Sequence, residues 1–243
     1  MKVKASLHLH SSEDEEDSII IDYSLFELID RLAALDFKVM ASTGHSNGVC
    51  RSDHFEYAKK KGILLIAGIE ANIEGHKHML ILNGGSDAEK VRSFDDLKRF
   101  KRRHPESFII APHPNHGAHS ITLGTLRKMA DIIDAVEHSW YYSRSIDQNR
   151  RTGQVSGELG LPFIVTSDAH VLDYLDTDYA VIEADKLTVD AVFGAIRNGK
   201  FVNRTRPKNY WELFKFLLLM VYGNIAELIL TNHRNTGKVT KEK

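Results

Sequence analysis

"VKASLHLHSS", residues 3–12, sets the pattern against which every later strand of the chain is compared. A short apolar run leads into two histidines, His8 and His10, and an acidic burst follows from Glu13 to Asp17. In a β-strand, residues i and i+2 share a face. The two imidazoles therefore project together from the end of a first strand. A chance surface pair would have no counterpart in the rest of the chain, so the ends of the other strands decide between the two readings.

Apolar runs with strand character fall at Val3–His8, Lys38–Ser42, Ile63–Ile69, His78–Leu82, Phe108–Ala111, Ile132–Val136, Phe163–Thr166 and Tyr179–Ile182. Amphipathic stretches lie between them. "SLFELIDRLAAL" repeats apolar residues at Leu25, Leu28, Ile29 and Leu32, a helical period. Ser24 is placed to cap it, with Glu27 at the capping-box position. Further helices fit Ser52–Lys61, Ser93–Arg103, Thr122–Met129, Ser143–Glu158 and Thr188–Asn198. Strands alternating with helices over one domain predict an α/β fold with a parallel sheet, and this many units in a row predict a closed or nearly closed barrel.

Such folds place function at the carboxyl ends of their strands. The first strand ends in His8 and His10, the second ("KVMASTGHS") in His45, the third ("ILLIAGIEA") in Glu70 and the fifth ("FIIAPHP") in His113. The sixth ("IIDAVEH") ends in Glu137 and His138, and the seventh ("FIVTSDAH") in Asp168 and His170. The fourth ("HMLILN") breaks the pattern by carrying His78 at its start. Burying unpaired polar groups costs several kcal/mol, so ionisable residues at so many strand ends need a common cause. Imidazole and carboxylate together suit a divalent transition metal.

The ordered motifs "HLH", "TGHS", "GIEA", "HMLIL", "APHP" and "SDAH", followed by "DYAVIEADKLTVDAVFGAIRNGK", resemble the polymerase and histidinol phosphatase (PHP) family. The resemblance spans residues 3–201. It implies a distorted (β/α)7 TIM-like barrel and metal-dependent phosphoester hydrolysis. It further implies His8, His10, His45, Glu70, His78, His113, Asp168 and His170 as metal ligands, with Glu70 bridging two metals. Two or three divalent ions are expected, with Mn, Zn or Fe fitting this ligand set better than Mg, which prefers oxygen.

Two departures from the family pattern stand out. The family has Thr-Asp-His where this chain has Thr43-Gly44-His45. Loss of a supporting acid weakens metal binding, so another acid substitutes or the His45 metal is weaker, and Gly44→Asp is expected to tighten it. In the first loop, the offset at which the family carries a ligand falls on Glu15, with Asp14 and Asp17 equally able to serve.

The expected function is a metal-dependent phosphoesterase that hydrolyses a small phosphate ester or nucleotide through metal-activated water. Glu70 is central to it, His170 is placed to relay a proton, and Arg144 is a candidate phosphate clamp. The alternatives are a nuclease acting on DNA or RNA ends and a non-catalytic metal-binding module. A nuclease needs a basic track, and the one basic run, "KRFKRRHP" at 98–105, lies at a helix end. His116 and His119 are placed for substrate contact or a loop, whereas His54, His76, His104 and His233 read as surface residues.

Composition bounds the rest. The 243 residues, 42% of them hydrophobic, suffice for a large core, and nothing in a formal net charge of −1 suggests a bulk polyanion binder. One cysteine, Cys50, and an N-terminus without an apolar leader predict a reducing, cytoplasmic setting. The barrel is expected over 1–203, with an apolar helical extension and basic tail over 204–243. Within 204–231, the nearly continuous apolar run from Tyr210 to Tyr222 is too short to span a bilayer. It fits packing on the barrel, a homo-oligomer contact, a membrane-surface contact or a loose end.

Overall fold

The computed structural model describes residues 1–45, 47–219 and 221–223. In chain order its main elements are β1 (Lys2–Ser6), α1 (Leu25–Ala34), β2 (Phe37–His45), α2 (Ser52–Lys60), β3 (Leu64–Ile73), β4 (Lys77–Leu82), α3 (Phe94–Arg103), β5 (Phe108–Ala111), α4 (Leu123–Met129), β6 (Ala135–His138), α5 (Asn149–Glu158), β7 (Phe163–Val165), β8 (Tyr179–Glu183), α6 (Val189–Arg197) and β9 (Phe201–Arg204). The strands form one sheet in the order β7-β6-β5-β4-β3-β2-β1-β8-β9.

The sheet curls into a nearly closed, distorted TIM-like barrel. β1, β2 and β3 run parallel, as do β5, β6 and β7. β4 runs antiparallel to both its neighbours. Its reversal comes from a tight hairpin in which Glu74 and Gly75 take φ of 51° and 84°, a turn whose twist matches that of paired strands. The start of β4 therefore lies at the same barrel end as the ends of the others, which explains why His78 opened its strand. Closure is made by side chains and a bridge. Asn203 on β9 accepts from Val165 N at 2.9 Å and donates to Phe163 O at 2.8 Å. Leu9 bridges Ala169 in parallel, and Ser6 Oγ meets Ser167 Oγ at 2.8 Å.

Most of the helices start as the sequence predicts. Ser24, Ser93 and Thr122 cap α1, α3 and α4, and Ser24 forms the full capping box with Glu27. α5 is shorter than predicted. Its first residue, Asn149, accepts from Ser139 N and donates to Ser139 O, both at 2.9 Å, and so holds 139–148 as a closed loop.

The barrel interior is apolar in its lower layers. Val39 and Ala41, Ile66, Leu80 and Leu82, Ala135 and Ile164 belong to one buried cluster, plugged by Val192, Phe193 and Ile196 of α6. The same inward-facing parity then delivers the ionisable residues. Val39 and Ala41 lead to Thr43 and His45, Ile66 to Glu70, Leu82 and Leu80 to His78, Ala135 to Glu137, and Ile164 to Thr166 and Asp168. β9 reaches Arg204, beyond the boundary expected after residue 203, and a helix follows over 210–219 and 221–223. No helix among the described residues is long and apolar enough to cross a membrane. His233, the basic tail and the apolar run beyond Gly223 lie outside the described residues.

Candidate metal centre

Glu70 sits at the middle of the site, 2% exposed, and its two carboxylate oxygens face different partners. Oε2 lies 3.3 Å from His8 Nε2, 3.6 Å from His10 Nε2 and 3.3 Å from His45 Nδ1. Oε1 lies 2.8 Å from His78 Nδ1 and 3.3 Å from His113 Nε2. Asp168 closes the other side, with Oδ1 3.4 Å from His8 Nε2 and 3.5 Å from His10 Nε2. His170 stacks on His10 at 4.4 Å. All eight strand-end residues expected as ligands are therefore brought together. His113 and Asp168 take φ of 31° and 42°, a conformation that costs a non-glycine residue energy and is typical of functional sites.

Three groups of side chains in this cluster have the spacing of a metal site: His10, Asp17, His45 and His170; His8, His10 and Asp168; and His45, Glu70 and His78. The chemistry of the atoms agrees. His8 Nε2, His10 Nε2 and His45 Nδ1 are buried and make no hydrogen bond, an arrangement that is costly without a further partner. Each converges on a carboxylate, so the donor set fits divalent cations bound by nitrogen and oxygen.

Electrostatics point the same way. Burial pushes the His8 imidazole down, but Asp168, Glu70 and Glu137 outweigh it and hold its pKa well above the ordinary value. Burial likewise opposes His10, yet Asp17 carries it up to about 10. Glu70 is held well below the carboxylate range, against its own burial, by His78 and His8. His170 goes the other way, pushed down to about 4 by burial and by His10. Without metal, then, protons on imidazole balance the carboxylates, and a bound cation would displace them.

Two further acids orient the histidines. Glu137, fully buried, holds His8 Nδ1 at 2.8 Å. Asp17 holds His10 Nδ1 at 2.7 Å and places its other oxygen 3.4 Å from His45 Nε2 and 3.6 Å from His170 Nε2. His138, next to Glu137, packs on Phe163 instead at 5.1 Å between ring centroids, because neighbouring strand residues face opposite ways. Glu137→Gln keeps the shape and removes the charge. A metal titration should read about 10–100-fold weaker binding, the usual cost of losing such a support.

Several expectations need correction. Glu15 is exposed, and it is Asp17 from the same acidic run that enters the cluster. Arg144 is exposed and is not among the residues lining the cavity. His54 is fully buried, not a surface residue. Its Nδ1 accepts from Arg51 N at 3.2 Å at the start of α2, and its ring meets the edge of Phe26 at 4.6 Å. His76 is exposed but lines the cavity, as do His116 and His119. Cys50 is half-buried, its thiol pushed up to about 11 by burial.

Gly44 has an explanation that the motif alone did not contain. The Asp14 carboxylate accepts from His45 N and occupies the space beside Gly44. A Cβ at position 44 would meet Asp14 Oδ2 at 2.7 Å, Val49 Cγ1 at 3.0 Å and Asn47 O at 3.1 Å. An acid from the first loop thus stands where the Thr-Asp-His pattern would put one in the strand. The expectation that Gly44→Asp tightens metal binding is reversed. Gly44→Ala and Gly44→Asp should each weaken it by about tenfold or more, while the double variant Asp14→Ala/Gly44→Asp should recover it in a metal titration.

The cluster forms the floor of a cavity of about 570 Å³. Its lining also includes His76, His116, His119 and Asn72 and the apolar Ile19, Ile20, Trp140, Tyr141, Phe216 and Leu217.

Residues 147–201 match the family model PHP_C, described as PHP-associated. None of the curated proteins matches the chain. Among solved structures, the chain is similar to a two-domain Bacteroides vulgatus protein containing a predicted PHP-like metal-dependent phosphoesterase (TM-score 0.65, 16% identity, 88% of this chain and 68% of that one). It is also similar to a lesion-specific endonuclease from Pyrococcus furiosus (0.61, 15%, 84% and 58%). A third is an amidohydrolase from Chromobacterium violaceum with bound sulfate and no metal (0.56, 13%, 82% and 97%). In the order of its motifs, in its barrel and in its PHP-associated segment, this chain resembles the PHP family of metal-dependent phosphoesterases.

Proposed function

We propose that this protein is a metal-dependent phosphoesterase acting on a small phosphate ester or nucleotide. The observation that carries the reading is the divided carboxylate of Glu70, which offers one oxygen to His8, His10 and His45 and the other to His78 and His113. When bound there, two or three divalent ions would supply Lewis acidity for the phosphoryl oxygens and an activated water. Mn, Zn or Fe suit the histidine-rich set better than Mg.

The chain's own part is orientation and shape. Glu137 and Asp17 fix the rings of His8 and His10 so that both Nε2 atoms face inward. Strand positions backed by a packed core hold these groups more rigidly than loops would. His116, whose Nδ1 lies 2.9 Å from Pro114 O, lines the same cavity.

Size and position favour a small ester over nucleic acid. The cavity is of the volume that accommodates a compact ligand. The basic run at 98–105 ends α3 and leads into the start of β5, whereas the cluster lies at the other end of that strand. That run therefore does not border the site.

The deciding experiment uses metal-free protein reconstituted with Mn, Zn, Fe or Mg and assayed against phosphomonoesters, phosphodiesters and short oligonucleotides. Turnover of small esters with Mn, Zn or Fe, and much less with Mg, is expected. Shortening of oligonucleotides alone would favour a nuclease, and no turnover with any metal would leave a binding module.

A further inference from the structure

The segment after β9 is built into the cavity. It is anchored first by a buried ion pair between Lys208 and Asp178, which are 2% and 1% exposed. Thr205 Oγ1 donates to Asp178 Oδ1 at 2.6 Å, and Lys208 N donates to Tyr142 O at 2.8 Å. Buried pairs of this kind hold one geometry, because breaking them leaves an uncompensated charge. Asn209 then caps the C-terminal helix by accepting from Glu212 N at 2.9 Å.

From that anchor the helix runs alongside the site. Phe216 meets Trp140 edge-on at 4.7 Å, Tyr141 at 5.5 Å and the ring of His170 at 6.0 Å. At its far end a Cβ on Gly223 would come within 2.7 Å of Ile20 Cγ2, so the helix lies against the loop that carries Asp17. Its residues Phe216, Leu217 and Gly223 line the cavity together with Trp140 and Tyr141. The cavity thus has a floor of imidazole and carboxylate and, beside it, a wall of aromatic faces and edges.

We propose that the C-terminal helix is the specificity wall of this site, and that the site selects phosphate esters whose alcohol carries a planar apolar ring seated against Tyr141 and Phe216, with the buried Trp140 packed behind Phe216. The inference rests on the phosphoesterase reading for the phosphate end and on the aromatic wall for the other. A flat ring gains both apolar burial and edge-to-face contact there. A two-carbon alcohol offers no ring to that wall and buries less apolar surface against it.

The test compares benzyl phosphate with ethyl phosphate on the metal-loaded full chain. Their leaving alcohols are of similar acidity, so a difference reads the wall and not the chemistry. Benzyl phosphate should show kcat/KM higher by about tenfold or more, carried mainly by KM. Phe216→Ala should close most of that gap, and Phe216→Tyr, which keeps a ring, should preserve it. Titration with benzylphosphonate and ethylphosphonate reads the same preference as binding, without turnover. Equal kcat/KM for the two esters, or equal binding of the two phosphonates, overturns the wall while leaving the phosphoesterase reading in place. If neither ester is hydrolysed, the phosphonate titration still decides the wall, and the phosphoesterase reading is decided by the wider substrate panel.

Discussion

Glu70→Gln is expected to lose bound metal and nearly all hydrolysis. The side chain keeps its shape, so β3 and its pairings with β2 and β4 should be unaffected. What disappears is the charge that faces His8, His10 and His45 through one oxygen and His78 and His113 through the other. Metal polarisation contributes several kcal/mol to such reactions, so the rate should fall by roughly a thousandfold. Metal content by emission spectroscopy should drop by at least one ion per chain. The metal-free variant carries a second signature. The folded-state pKa of Glu70 is depressed, held down by His78 and His8 against the burial that would raise it. Its contribution to stability is therefore present above the ordinary carboxylate range and fades as pH falls through the depressed folded value. At pH 7 the variant should melt lower than wild type, and the difference should narrow in acid. Wild-type turnover with full metal content in Glu70→Gln would remove this residue from the centre.

What the sequence made legible was the periodic part of the molecule. Inward-facing positions alternate strictly along a strand, so Ile66 in the core makes Glu70 part of the site by parity alone, and Ile164 does the same for Asp168. The direction of β4 was not legible as such, since His78 at the start of a run looks out of place until the hairpin at Glu74 and Gly75 turns the strand round. Loops carry no such period. Spacing within Glu13–Asp17 cannot choose between acids, and the choice was made by the short helical turn Asp17–Ile19 and by its contact with His10. His54 was hidden by its polar neighbours Arg51, Asp53 and Glu56, because the hydrogen bond that justifies its burial runs to a backbone N–H and not to any side-chain pattern. Gly44 shows the same limit from the other side. Its missing acid is supplied by Asp14, thirty positions earlier in the chain, and a motif read residue by residue has no means of showing that.

Asp17 carries the last large expectation. Its carboxylate touches three imidazoles, with Oδ2 2.7 Å from His10 Nδ1 and Oδ1 3.4 Å from His45 Nε2 and 3.6 Å from His170 Nε2. It is itself 3% exposed, and its pKa is held far below the ordinary range, against burial, chiefly by His10. It therefore serves two functions at once: it orients His10 and offers an oxygen to the group formed with His45 and His170. Asp17→Asn keeps the volume and one possible acceptor but removes the charge and presents an amide to rings that need an anion. Support lost at one histidine costs about 10–100-fold in metal affinity, and loss of a ligand oxygen adds to it, so hydrolysis should fall by about a hundredfold or more. Metal binding should fail first at the His10, His45 and His170 group. Glu15, two positions earlier and exposed, is the internal control, and Glu15→Gln should stay within about twofold of wild type, as surface substitutions remote from a site do. The pair of variants separates the chemistry of one carboxylate from the general acidity of the loop. Equal losses in both would mean that the run acts through its summed charge, and equal retention in both would place Asp17 outside the metal centre.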